Sequence, residues 1–126
     1  MNLLTATAVD CSIPRNTDKR LEFEILNEQL GIPYNLTDHT VYLLLITSRS
    51  DYEPLIVKEG DVYSPTEGLV RFDFLPEDTA LLLARSYDAD IIVVSDTTNQ
   101  KWPAFQGTIA VLATVPMPEE EEEEGE

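Results

Sequence analysis

The segment from Gly68 to Val94, GLVRFDFLPEDTALLLARSYDADIIVV, limits this chain to a small set of folds. Val70, Phe72 and Phe74 alternate with Arg71 and Asp73, a period of two that puts apolar groups on one face of a strand and charges on the other. Phe72 is therefore expected to point inward and Arg71 outward. Pro76 stops the strand, because it has no N–H to give to the ladder. Glu77, Asp78 and Thr79 follow a proline suited to the first turn of a helix, where carboxylates complement the helix dipole. A turn or two of helix is predicted between Thr79 and Arg85. Tyr87, Ala89, Ile91 and Val93 then resume the alternation around Asp88 and Asp90. Strand, short helical crossover, strand is the order of a sandwich in which the crossover carries the chain from one sheet to the other.

The remaining segments read as further short strands at sandwich spacing. Leu3 to Val9 suits a first edge strand, and Asp10 to Lys19 reads as a loop broken by Pro14, Asn16 and Asp18. Leu21, Phe23 and Ile25 alternate with Glu22 and Glu24; helix propensity over Leu26 to Leu30 competes, but the alternation and the Gly31-Ile32-Pro33 stop favour a strand. Thr40 to Thr47, TVYLLLIT, is almost wholly apolar, as in a strand buried on both faces or lying at a sandwich core. Leu55 to Val57 and Asp61 to Tyr63 form the arms of a short hairpin, and Asp96 to Gln100 is a polar hairpin connection. Trp102 and Phe105 flank Pro103, an edge signal, and Thr108 to Val115 closes the core. The fold class is all-β: a β-sandwich of about seven to eight strands with one short helical crossover. It occupies residues 1–116, and residues 117–126 form an acidic C-terminal tail.

A chain of 126 residues is one domain that buries a core without metal or disulfide staples. Its net charge is −16, and seven of its 24 acids lie in the last eight residues, leaving 17 acids against 8 bases in residues 1–118. So acidic a surface argues against nucleic acid or an anionic membrane as partner. Cys11, the single cysteine, excludes an intrachain disulfide and fits folding in a reducing cytoplasm. The opening MNLLTATAVDCSIPR lacks the basic start and apolar run of a secretory signal, and nothing approaches the ~18 consecutive apolar residues of a membrane span.

Candidate chemistry is sparse. His39, the only histidine, sits in a turn far along the chain from Cys11, so a Cys-His nucleophile has no local motif behind it, and zinc wants more such ligands than these two. Asp88 and Asp90 share a strand face and Asp73 suits a neighbouring strand; three carboxylates could hold calcium, or form a solvated face balanced by Arg71 and Arg85. No Asp-x-Asp-x-Asp-Gly loop is present, and nothing marks a cleft that would tune a carboxylate pair for glycoside chemistry. Trp102, Phe105, Tyr34, Tyr52 and Tyr63 offer rings for stacking on a sugar, or for covering the ends of the core. No catalytic residue, cofactor site or metal site is expected. Glu119, Glu120, Glu121, Glu122, Glu123 and Glu124 are the one candidate contact: a solubilising tail, or an element that docks on a basic surface and steers assembly.

Two resemblances bear on this pattern. Leu75-Pro76-Glu77-Asp78-Thr79-Ala80 looks like the turn before strand F of antibody variable domains, but the inter-sheet cysteine pair is missing and Trp102 lies too late for the core tryptophan, so it reads as convergence on a similar crossover. Pro33-Tyr34-Asn35-Leu36-Thr37 followed by the strand Val41 to Ile46 resembles the opening of the immunoglobulin-like domain in phage baseplate upper proteins. Gly68 to Phe72, Asp78-Thr79 with the leucines after it, Tyr87 opening a strand, and Trp102, Gly107 and the strand at 108–115 extend the match across roughly residues 20–115. Ser86 replaces that family's glycine, and the acidic tail stands where the longer proteins continue into other regions. The resemblance implies an immunoglobulin-like, non-enzymatic structural module of a tailed-phage virion: tail, baseplate or neck, or a capsid decoration protein. It implies folding in the host cytoplasm, other virion proteins as partners and multiple copies per particle. The rival reading is a carbohydrate-binding or adhesion module, favoured if Trp102 and the tyrosines are exposed and aligned.

Overall fold

Two five-stranded sheets face each other across the apolar residues that the alternation marks out. The computed structural model describes residues 4–7, 11–47 and 53–114; Tyr52 and Glu119 to Glu124 lie outside the described residues. In chain order the strands are β1 (Leu4–Thr7), β2 (Ser12–Pro14), β3 (Lys19–Asn27), β4 (Ile32–Pro33), β5 (His39–Ile46), β6 (Ile56–Glu59), β7 (Asp61–Ser64), β8 (Leu69–Phe74), β9 (Ser86–Ser95) and β10 (Lys101–Leu112), with the one-turn helix α1 (Pro76–Thr79) between β8 and β9. One sheet runs β1-β3-β8-β7 with β4 on the end of β3, and the other runs β2-β10-β9-β5-β6. Neighbours are antiparallel except β2, which lies parallel to the end of β10.

The alternating residues of β3, β8 and β9 are the core. Leu21, Phe23, Ile25, Val70, Phe72, Phe74, Ala89, Ile91 and Val93 are buried, while Arg20, Glu22 and Asp73 are exposed and Arg71 is half-exposed. Strand therefore wins over helix at 19–27, because only an extended backbone puts Leu21, Phe23 and Ile25 on one side. Phe23 meets Phe72 edge-on at 5.9 Å and, across the gap between the sheets, Phe105 of β10 at 5.6 Å. Such ring pairs contribute ~0.5–1.5 kcal/mol each beyond burial.

The structure departs from the sequence reading in several places. Residues 55–57 and 61–63 are not the arms of one hairpin, because β6 pairs with β5 in one sheet and β7 with β8 in the other. β10 starts at Lys101 rather than at the expected Thr108. Residues 12–14, expected within a loop, form β2; Ile13 is fully buried, and the Ala110 N–H and Cys11 carbonyl and the Arg15 N–H and Leu112 carbonyl are paired. β4 is a second short strand, bringing the described strands to ten. The helix starts at Pro76, earlier than Thr79, and makes a single turn. Leu75 has no side-chain acceptor, but its N–H bonds Asp78 Oδ2 at 2.7 Å, and buried Thr79 accepts the Asn16 N–H on Oγ1 at 2.9 Å, tying the turn to the β2–β3 connection. Of the two readings left open for β5, a place at the sandwich core holds: Val41, Leu43 and Leu45 point into the core, Tyr42 and Leu44 are half-buried on the outside, and Ile46 is buried at the strand's end.

Gly68, with φ of 71°, turns the chain into β8 in the left-handed region. A Cβ there would lie 2.5 Å from the Ile25 carbonyl oxygen and 3.0 Å from that of Tyr34, so the position has no room for a side chain.

Candidate interaction surfaces

The residues singled out for catalysis are held apart by the sandwich. His39 pairs with Ser95 at one end of β9, whereas Cys11 lies beside Ala110, which pairs with Ser86 at the other. The length of β9 separates them, about 30 Å at the rise of a strand. His39 is instead a tie within its own end of the fold. Its Nδ1 lies 2.8 Å from the Thr37 carbonyl, which can only accept, so Nδ1 carries the proton and Nε2 accepts from the Tyr34 hydroxyl at 3.3 Å. Burial raises the Tyr34 pKa above the ordinary phenol value.

The three aspartates proposed as calcium ligands do not converge. Asp73 is on the outer face of the β1-β3-β8-β7 sheet, bonded by Arg20 Nε at 2.7 Å, a hydrogen bond that holds its carboxyl below the usual range. Asp88 and Asp90 lie on the outer face of the opposite sheet. No cluster of three metal-ligating side chains occurs among the described residues. Of the expected counter-charges, Arg71 pairs with Asp61 at 2.9 Å and lies over the Tyr63 ring at 4.7 Å while its charge also favours the Asp73 carboxylate, and Arg85 lies over the Tyr87 ring at 5.3 Å.

The aromatic residues are likewise divided. Trp102 is half-buried against the core and 6.0 Å from the His39 ring, which packs edge-on against Tyr34 at 5.4 Å. Phe105 turns into the core against Phe23, and Tyr63 lies on the other sheet beneath Arg71. These rings are thus spread over a plug at one end, the core and the opposite sheet, and do not form an aligned row.

What separates the two sides of the molecule is the chemistry of their outer faces. On the β1-β3-β8-β7 sheet, Arg20–Asp73 and Arg71–Asp61 ion pairs run across the strands. On the β2-β10-β9-β5-β6 sheet, cross-strand neighbours place Val57 beside Leu44, Tyr42 beside Ile92 and Ile92 beside Pro103 on the outward side. Val57 is 53% exposed and Pro103 is exposed; Tyr42, Leu44 and Ile92 are half-buried by one another. The sequence reading did not draw out this stripe: it left Thr40 to Thr47 as buried on both faces or lying at a sandwich core, and in β9 it followed only the inward set of Tyr87, Ala89, Ile91 and Val93. A second apolar feature is the turn after α1, where Leu82 packs on the core while Leu81 is 96% exposed and Leu83 69%.

No family model matches the sequence, and no curated protein does. Among solved structures, the fold is similar to the N-terminal domain of phage TP901-1 ORF48, with a TM-score of 0.56 at 11% identity over 85% of this chain and 86% of that one. MtrC from Shewanella baltica OS185 aligns with a TM-score of 0.43 at 15% identity over 92% of this chain and 23% of that one, a likeness too loose to bear on fold or function. No helix among the described residues is long and apolar enough to cross a membrane.

Proposed function

We propose that this chain is a non-enzymatic structural protein of a tailed-phage virion, built on an immunoglobulin-like domain. The observation that carries the reading is the likeness to a phage domain over nearly the whole of both chains. The immunoglobulin assignment draws on two further features. With β1, β3, β5, β6, β7, β8, β9 and β10 lettered A, B, C, C′, D, E, F and G, the sheets read A-B-E-D and G-F-C-C′, the immunoglobulin order. Tyr87, at the start of β9, sends its hydroxyl back to the Leu83 carbonyl at 2.9 Å, the bond of a tyrosine corner at the E–F crossover. Ala89, two residues on, stands where an antibody domain has its second cysteine, and the Phe23–Phe105 contact links the sheets with no disulfide.

In this reading the chain works by being placed, in multiple copies, against other virion proteins in the tail, baseplate or neck, or on the capsid. Glu119 to Glu124 add a contact: a dense run of carboxylates that meets a basic patch on a neighbouring subunit and speeds encounter. Mass spectrometry of purified particles, with gold-labelled antibody to locate the chain, tests the proposal. Stoichiometric recovery at a fixed position supports it. Absence from particles, together with saturable binding on a glycan array, replaces it with the carbohydrate-binding reading. Deleting residues 119–126, or replacing 119–124 by glutamine, is expected to lower incorporation at low salt while leaving the urea midpoint unchanged; equal incorporation of all forms makes the run a solubiliser only.

A further inference from the structure

We propose that the outer face of the β10-β9-β5-β6 strands is a docking surface for a different protein chain, one that presents an apolar centre bordered by lysine or arginine. The proposal deepens the assembly reading by naming its interface, and rests on that reading only for which assembly the partner belongs to. Cross-strand pairing sets Val57, Leu44, Tyr42, Ile92 and Pro103 side by side across four strands. Water is a poor neighbour for such a stripe, since removing apolar surface from water is favourable roughly in proportion to the area. The opposite sheet shows what this chain does with a face left to water: it crosses it with Arg20–Asp73 and Arg71–Asp61 pairs. The stripe instead leaves Val57 and Pro103 exposed.

Charge selects the occupant. The charged residues that β5, β6, β9 and β10 place on this outer face are Glu59, Asp88 and Asp90, against Lys101 alone. A second copy would bring the same acidic border against itself, in a chain whose net charge is already −16. A partner with an apolar centre and a basic border gains apolar burial and complementary charge together, and the complementary rim selects it over acidic surfaces.

Site-directed photo-cross-linking tests this in the full chain. The photoreactive residue p-benzoylphenylalanine is placed at Ile92, in the stripe, or at Glu22, on the opposite outer face, and irradiated in the cells that produce the native assembly. Adducts are identified by mass spectrometry. The expected result is an adduct from position 92 to another chain, at a peptide carrying lysine or arginine beside apolar residues, and little from position 22. Adding Glu59→Lys and Asp88→Lys should cut the yield from position 92 severalfold, with urea midpoints confirming that the variants are folded. An adduct to a second copy, equal yields from the two positions, no adduct at 92, or a yield unmoved by the lysines overturns the proposal. Particles that contain the chain but give no adduct at 92 reject this interface and leave the virion reading standing; an adduct at 92 with the chain absent from particles does the reverse.

Discussion

Replacing Phe72 with alanine removes a side chain that is fully buried between the sheets and meets Phe23 edge-on at 5.9 Å. Truncating a buried phenylalanine costs ~3–5 kcal/mol, the spread depending on how far the neighbours collapse into the cavity. Collapse is limited here, because Phe72 lies in the middle strand pairing of its sheet, where β3 is hydrogen-bonded on one side of β8 and β7 on the other. About 4 kcal/mol is therefore expected. With an unfolding entropy of ~2.1 cal/mol/K per residue, a chain of this length loses roughly 15 °C in Tm. Trp102 is the only tryptophan and is packed against the core, so its fluorescence follows urea unfolding, with far-ultraviolet circular dichroism as the second probe. Arg71→Ala is the control. It removes a half-exposed ion pair to Asp61 and the stacking over Tyr63, and should cost no more than ~1 kcal/mol. Equal midpoint shifts for the two variants at unchanged m would refute the inward–outward assignment of β8.

Tyr87→Phe deletes the hydroxyl bond to the Leu83 carbonyl and should lower stability by ~1 kcal/mol, read from the urea midpoint; no change would mean that water serves that carbonyl as well. Gly68→Ala meets a left-handed φ and backbone oxygen at 2.5 Å, so a loss above ~2 kcal/mol is expected, and a loss under half that would show that the turn can rearrange. Asp78 is partly buried, which raises its pKa, but the Lys58 ammonium at 2.6 Å and the Leu75 N–H outweigh burial and hold it below the usual carboxylate value. Its contribution is then fully present above the unfolded value near ~3.9 and is lost as pH falls through the lower folded one. Asp78→Asn should cost ~1 kcal/mol at pH 7 and much less near pH 2, so an equal difference from wild type at both pH values would exclude the charge as the cause.

The resemblance of Leu75 to Ala80 to an antibody crossover was legible as a turn between sheets, and the chain does cross there. A short helix there was legible too, but not its bounds at Pro76 and Thr79, where Thr79 Oγ1 accepts a bond from the Asn16 N–H, 63 residues away in sequence. β2 left no periodic trace: three residues ending in proline carry no alternation to read. Its place comes from Ile13 filling the core and from backbone bonds to the last residues of β10.

The period-two pattern alone determined which side chains of β3, β8 and β9 enter the core, because inside and outside alternate along any one extended strand whatever it pairs with. It could not say which sheet a strand joins, since that depends on pairings between distant segments. Asp73 and the Asp88–Asp90 pair look equivalent in sequence yet lie on opposite outer faces of the sandwich. The apolar run of β5 likewise left open whether one face or both are buried, and no strand among the described residues forms a further layer over Tyr42, Leu44 and Ile92. Burial is a property of the assembled layers, and a strand's own sequence does not record how many layers cover it.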